Sequence, residues 1–506
     1  MRHARSLAGI LLLVVCSVSA FAQSVAGDLS PAEDPRLART VTLSLASGTA
    51  SDALKNLSAL TAVTFRISDR AAEDQGVRLA LNDVSLADAL TQMAALFGWR
   101  WQRTVQDEEI VYRIASAGMS GKGDPEMLRR MLEAAVREES DKQWKQAEPV
   151  LTAWRAAAGD LDELKKSDPD ISALLDKDPE IGYRVRELSL LPEAERRNWI
   201  EARVYALLQR DGPRAKYALV SRYVASQIPP SPEVTASEAE PAVTMKLSGE
   251  TPFWTVIQGL SKQTGVSFFS DRYSRPVAVN GLDFSKAPLS KVLDDLCRQA
   301  VYSWTDADGR VRLRSRMWFY DALREPPKAV LERFLSLKKQ RGSLIFADLA
   351  ALAAALSDDQ IAGLADSEPA GKEPNLIAEG RNILNALNEF RLYNALNRRD
   401  ALAAEGPEGF PFLRMTPHQR DLFLRYAPPG LLPPENAVES ALFIIPRPGA
   451  SVTFKYVYGL RLSRSREVAV GLPAEAPAEA GPPETPPVEE KPAETPAGET
   501  EKGAEG

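Results

Sequence analysis

From residue 41 to 45 the chain reads Val-Thr-Leu-Ser-Leu, apolar and polar positions in strict alternation, the period of a strand with one buried face. Residues 49–61 change period: Ala53, Leu54, Leu57 and Leu60 fall on one side of a helix. Residues 63–67 alternate again, and 77–81 (Val-Arg-Leu-Ala-Leu) predict a third strand. Residues 85–98 set Leu86, Ala89, Leu90, Met93 and Leu96 on one helical face and finish on Gly98, a residue suited to a helix end. Two further alternating runs, 99–104 and 108–114, predict a closing hairpin. The predicted order is β-α-β-β-α-β-β.

The same order returns from Val243. Val-Thr-Met-Lys-Leu stands where Val-Thr-Leu-Ser-Leu stood, and Leu-Ser-Lys-Gln-Thr-Gly-Val-Ser-Phe at 260–268 answers Leu-Ser-Ala-Leu-Thr-Ala-Val-Thr-Phe at 57–65, with five of nine residues identical. The triplet Ser-Asp-Arg follows each, at 68–70 and 270–272. Leu57 precedes Leu86 by 29 residues and Trp101 by 44, and Leu260 precedes Leu289 and Trp304 by the same two intervals. Register held over that length implies an internal duplication.

Between the copies the pattern is helical. Asp124-Pro125-Glu126 predicts a helix start, and residues 192–212 a helix ending near Gly212. Ser357 with Gln360, and Thr416 with Gln419, have the spacing of capping boxes. The expected fold class is α+β, with two small modules joined and followed by α-helical regions, a C-terminal strand pair and a disordered tail. The expected divisions are a leader (1–22), a flexible lead-in (23–39), module one (40–116), a helical region (120–227), a Pro/Ser/Glu linker (228–241), module two (242–317), a second helical region (318–436), a β segment (437–472) and the tail (473–506).

The duplicated unit resembles the short N-terminal domain of secretins and TonB-dependent receptors, the STN domain. The resemblance rests on a helix ending Leu-x-x-x-Thr-Gly before a short strand (Leu260 to Phe268, with Thr264-Gly265) and on a second helix of a kind rich in Leu-x-x-Ala-Leu (Leu289 to Leu293); the first copy has Leu57 to Phe65, Thr61-Ala62 and Leu86 to Leu90. Ala62 departs from the glycine of the pattern, so a less strained turn is expected there. The resemblance covers about 75 residues twice. It implies a periplasmic docking module that contacts inner-membrane partners or neighbouring subunits. No long series of amphipathic strands follows Arg316, so the pore or barrel that such a module usually precedes is not expected.

Composition changes this picture in three places. The start of the chain has Arg2 and Arg5, an apolar run over 7–18 and Ala20-Phe21-Ala22, which predicts a secretory leader cleaved between Ala22 and Gln23 and a periplasmic or secreted protein; retained, the same segment would act as an anchor. No membrane span is expected after cleavage. The net charge of −7 is concentrated in residues 473–506, with nine Glu and two Lys, and the rest shows no basic face of the kind nucleic acid requires. After the leader, Cys297 stands alone, so no internal disulfide is available, and it reads as a small buried residue on a helix.

Candidate chemistry is sparse. His418 is the one histidine outside the leader and lies in a capping box, so neither a catalytic triad nor a histidine-rich zinc site is expected, and no cofactor is assigned. Asp306-Ala307-Asp308-Gly309 reads as a hairpin turn, because the later oxygen ligands of a calcium loop are missing. The acid pairs Asp294-Asp295, Asp358-Asp359 and Glu138-Glu139 fall on helix faces or starts. Trp99 with Trp101, and Tyr302 with Trp304, recur at period two, as core or sheet-face packing or as a stacking surface for glycan or peptide. Arg310, Arg312, Arg314 and Arg316 alternate on one strand, as a solvated face or, with Trp304, as a face that docks an anionic partner. The expectation is a non-enzymatic interaction protein that binds envelope proteins or itself. Peptidoglycan binding is the alternative, and unrecognised carboxylate chemistry a weaker one.

Overall fold

The structure is a computed structural model describing residues 34–106, 109–116, 123–157, 159–227, 240–307, 309–367, 375–425, 439–447, 451–459 and 462–469. The leader with Ala22 and Gln23, most of the lead-in and linker, Asp308 and the acidic tail lie outside the described residues.

The first unit runs β1 (Thr40–Thr49), α1 (Ala50–Thr61), β2 (Thr64–Ile67), a single turn α2 (Arg70–Glu73), β3 (Gly76–Ser85), α3 (Leu86–Phe97), β4 (Trp99–Gln106) and β5 (Glu109–Ser116). Strands β1 and β3 form an antiparallel pair, and β2-β5-β4 a three-stranded sheet in which β2 and β5 are parallel. Leu54, Leu57, Leu86, Leu90 and Met93 pack from the two helices onto Val77, Leu79, Tyr112 and Ile114. The end of the lead-in belongs to this unit: Leu37 is buried, and the buried Asp34 carboxylate accepts hydrogen bonds from Arg36 and from the Tyr112 hydroxyl at 2.6 Å. Residues 34–39 are therefore anchored, against the expectation of a flexible approach.

Helices α4 (Pro125–Ala156), α5 (Leu161–Ser167), α6 (Pro169–Lys177), α7 (Pro179–Ser189) and α8 (Arg196–Ser226) follow. The Asp124 carboxylate caps α4 by accepting from Met127 N–H at 2.9 Å. The helix ends at Gly212 as expected, where the chain leaves helical geometry at φ 79° and ψ −163°, and α8 continues as a second helix because Pro213 suits a first turn.

The second unit repeats the first: β6 (Ala242–Lys246), β7 (Thr251–Pro252), α9 (Phe253–Thr264), β8 (Ser267–Asp271), β9 (Ala278–Val279), β10 (Asp283–Pro288), α10 (Leu289–Ala300), β11 (Tyr302–Ala307) and β12 (Arg310–Ser315). The correspondence extends to irregularities. Asp83 (φ 52°) and Lys286 (φ 50°) are left-handed residues in matching bulges, and their amides donate to Thr42 Oγ1 at 3.2 Å and to Thr244 Oγ1 at 3.1 Å. Helices α1 and α9 end on left-handed Ala62 (φ 55°) and Gly265 (φ 72°), α3 and α10 on Gly98 (φ 64°) and Val301 (φ 58°). Ala62 thus adopts the glycine conformation, and the turn is not relaxed by the substitution.

The chain ends in an α+β body. Helices α11 (Trp318–Arg324), α12 (Lys328–Arg341), α13 (Phe346–Ala355), α14 (Asp358–Asp366), α15 (Ile377–Asn385), α16 (Leu387–Ala395), α17 (Arg398–Glu405) and α18 (Pro417–Leu424) pack with a sheet ordered β13-β14-β15-β16, where β13 is Phe410–Pro411, β14 Ala441–Arg447, β15 Ser451–Tyr458 and β16 Leu462–Ala469. Both capping boxes form, with Ser357 Oγ accepting from Gln360 N–H and Thr416 Oγ1 from Gln419 N–H. The expected strand pair is β14 and β15, and β16 is added to it; its run of exposed serine and arginine gave no alternating apolar signal. Phe390, Phe423, Phe454, Tyr456 and Tyr458 lie in one core, so the second helical region and the β segment fold together.

Candidate interaction surface

The two units are joined by strand pairing. Strand β3 of the first lies antiparallel to β8 of the second, with Val77 opposite Asp271, Leu79 opposite Phe269 and Ala80 opposite Phe268. The result is one five-stranded sheet, β1-β3-β8-β12-β11. Side chains alternate across it, so each unit gives the other a core residue: Phe269 packs in the core of the first unit and Ala80 in that of the second. At the ends of the junction Arg272 N–H donates to Gly76 O at 3.0 Å, and Asn82 Nδ2 reaches Ser261 Oγ at 2.7 Å and Val266 O at 3.2 Å. Gln258 Nε2 donates to Ser44 Oγ at 2.9 Å.

This junction decides the fate of the arginine row. Strand β12 is internal, between β8 and β11, with Val311 and Leu313 in the second core. Arg310, Arg312 and Arg314 are half-buried on the opposite face, where α3 of the first unit packs against β8 and β12. Arg310 is ion-paired with Asp88 of α3, and the Arg314 guanidinium stacks over Trp318, 4.7 Å from the ring centre. Arg316 Nε donates to Tyr302 O at 3.3 Å. Trp304 packs against the second core, and its Nε1 donates to Asp294 Oδ1 at 2.7 Å. The expected open docking face is thus largely engaged within the chain. Alternation reveals which residues share a face, but not what covers it.

The matching face of the first unit buries Val111 but leaves its long polar side chains open. On β2, β4 and β5, Arg66, Arg100, Gln102 and Arg113 are exposed. Arg66 occupies the position of Phe269, and its Nη1 donates to Gln106 Oε1 at 2.7 Å. Trp99 and Trp101 belong to the inner face, Trp99 stacked on Phe97 at 4.7 Å between ring centres.

A buried polar cluster ties the second unit to α8, α11 and α14. Both Asp271 carboxylate oxygens accept the Ser315 amide, at 3.0 and 3.1 Å. Asp321 accepts from Tyr217 Oη and from Ser315 Oγ, each at 2.7 Å. Arg324 pairs with Asp366 at 2.6 Å and lies over the Tyr217 ring, and Asp359 receives Lys216 at 2.6 Å and Tyr320 Oη at 2.7 Å. Burial pushes the Asp271 carboxyl up to about 7, opposed by the Ser315 amide and by Arg314. Burial likewise raises Glu325, which accepts the amide and hydroxyl of Ser274, and holds the Tyr217 phenol well above its ordinary value. The repeated Ser-Asp-Arg triplet was the one sequence signal for this cluster, and Asp271 is its second-copy aspartate.

The remaining candidates disperse. Asp294 and Asp295 turn to Trp304 and Arg298, Asp358 and Asp359 to Arg391 and Lys216, and Glu139 to Gln143. His418 is exposed in the first turn of α18, Cys297 is buried in α10 with its thiol pushed up by burial, and Gly309 N–H donates to Asp306 at the hairpin turn. Among the described residues no group of three or more His, Cys, Asp or Glu is placed to hold a metal ion, and no helix is long and apolar enough to cross a membrane. An open depression of about 600 Å³ on α4 is lined by residues of both charges, among them Arg137, Glu138, Asp141 and Lys145. The chain matches no family model, and no curated protein and no solved structure matches it.

Proposed function

We propose that the chain is an exported, non-enzymatic interaction protein of the cell envelope, in which the duplicated units serve as a docking platform akin to the STN domains they resemble. The observation that carries this reading is the β3–β8 junction: one unit already binds the other by strand addition, a general mode of protein recognition in which backbone groups supply affinity and alternate side chains supply selection. The exposed arginines at 66, 100 and 113 give the first unit a polar, cationic surface for a partner. The leader-like start of the sequence supports export, and the resemblance supports association with a secretion or TonB-type system.

The test is crosslinking in intact cells followed by a size measurement on the purified chain. Discrete adducts, or an assembly larger than one chain, are expected. A lone, unpartnered monomer in both experiments overturns the proposal.

A further inference from the structure

Strand β8 is paired on both edges: parallel to β12 on one side, antiparallel to β3 on the other. Its counterpart β2 is parallel to β5 on one side and ends its sheet on the other. Burial records the difference. All of Ser267–Asp271 is buried, whereas Phe65 and Ile67 are half-buried and Arg66 is exposed. Phe65 and Phe268 hold the same place beside the parallel partner, opposite Tyr112 and Val311, yet Phe268 is 0% exposed. The counterpart of β3 is β10, which pairs with β6 and likewise ends its sheet. Among the described residues, the chain therefore carries one occupied junction and the two separated halves of another.

We infer that β2 of one copy receives β10 of a second copy, repeating between chains the junction that β8 and β3 make within one. This rests on the interaction reading above and names its partner as the chain itself. The register follows from the occupied junction: Phe65 lies opposite Asp283, as Phe268 does opposite Ala80, and Arg66 lies opposite Leu282, as Phe269 does opposite Leu79. Two apolar positions of the internal junction carry charge here, Phe269 being replaced by Arg66 and Ala80 by Asp283, and alternation sets these two on opposite faces of the joined sheet. The complement on the face of Arg66 comes from a helix: α10 has Asp295 where α3 has Gln92, α3 covers β8 and β12 in the internal junction, and the face that α10 would cover on the first unit carries Arg66 beside Arg113. Charge on a free edge hinders indiscriminate pairing, and opposite charge on the two halves favours this pairing over others. The contact joins unlike surfaces, so successive copies form a ring if the rotation closes and a filament if it does not.

The experiment uses the purified chain with a photoreactive benzoylphenylalanine in place of Ser68, an exposed residue whose counterpart Asp271 faces Val77. Sedimentation velocity is run over a range of concentrations at low and high salt, and photolysed samples are mapped by mass spectrometry. The expected result is concentration-dependent assembly that weakens with salt, with crosslinks from position 68 to residues 278–284 of another copy. Arg66→Glu should weaken assembly at least about tenfold while Arg66→Lys leaves it near the parent, since a carboxylate at position 66 would share its face with Asp295. A monomer at every concentration, or crosslinks confined to other segments, overturns the inference. If the chain is monomeric but the same photoreactive variant yields an adduct with a different protein in the intact envelope, the second copy is wrong and the interaction function stands. If neither experiment yields an adduct, both fall.

Discussion

The amide of Arg272 donates to the carbonyl of Gly76 at 3.0 Å, and a β-carbon on Gly76 would stand 2.1 Å from the Arg272 carbonyl oxygen. The two units meet there backbone to backbone, 196 residues apart in sequence, and only a residue without a side chain permits the approach. Gly76→Ala should therefore force β3 and β8 apart at one end and cost about 3 kcal/mol in denaturant unfolding, near the upper range for overpacking a close contact. A change below about 0.5 kcal/mol would show that the junction does not hold in solution.

Phe269 tests the exchange of core residues. It belongs by sequence to the second unit and by packing to the first. Phe269→Ala should cost about 3–5 kcal/mol. Amide hydrogen exchange should then quicken in β3 and α3 of the first unit, not only in β8. Loss of protection limited to the second unit would contradict the cross-packing.

Asp271 predicts a pH dependence of known sign. Burial raises its carboxyl from 3.8 to about 7 in the folded chain. Between roughly pH 4 and 7 the folded state then holds a proton that the unfolded state has released, so this group's stabilisation is complete below about 4 and is lost as pH rises through 7, on the order of 4 kcal/mol in all. Glu325, also raised by burial, acts in the same direction. Asp34 acts oppositely: the Arg36 and Tyr112 hydrogen bonds hold it well below the usual carboxylate range, and its contribution is lost as the medium becomes strongly acidic. Asp271→Asn should flatten the stability profile between pH 4 and 7, measured by thermal unfolding across that range. An unchanged profile would place the titration elsewhere.

Ala62 offers a gain. It is exposed and sits at φ 55°, where an L-residue with a β-carbon is disfavoured by about 1 kcal/mol. Ala62→Gly should raise stability by about that amount, and the same exchange at Val301 should gain less, because Val301 is buried and its side chain packs with Phe319 and Tyr320. Equal gains at both sites would mean that the Val301 contacts contribute nothing.

Much of the local architecture was legible. The alternating and helical periods located the two long helices and the closing hairpin of each unit but not the short α2, β7 and β9, and the two capping boxes closed as their spacing implied, because a cap is a contact between residues three apart. What was not legible lies at long range. Asp88 gave no sign that it would meet Arg310, and Phe269 looked like any apolar strand residue until β3 was placed beside it. The exposed strand β16 was missed for a related reason: an edge strand with one wet face and a serine-arginine sequence has little apolar period to show.

The sequence by itself determined that one α+β unit is written twice, since period and spacing are properties of neighbours along the chain and survive without knowledge of the fold. Only the tertiary structure decided which edges of those units are occupied. Strand pairing is set by backbone groups that every residue carries alike, so the pattern of side chains can specify a strand and its buried face while leaving open which strand lies beside it. That choice covers the arginines of β12 with α3, buries Phe269 in a unit not its own, and, among the described residues, leaves β2 and β10 each paired along one edge.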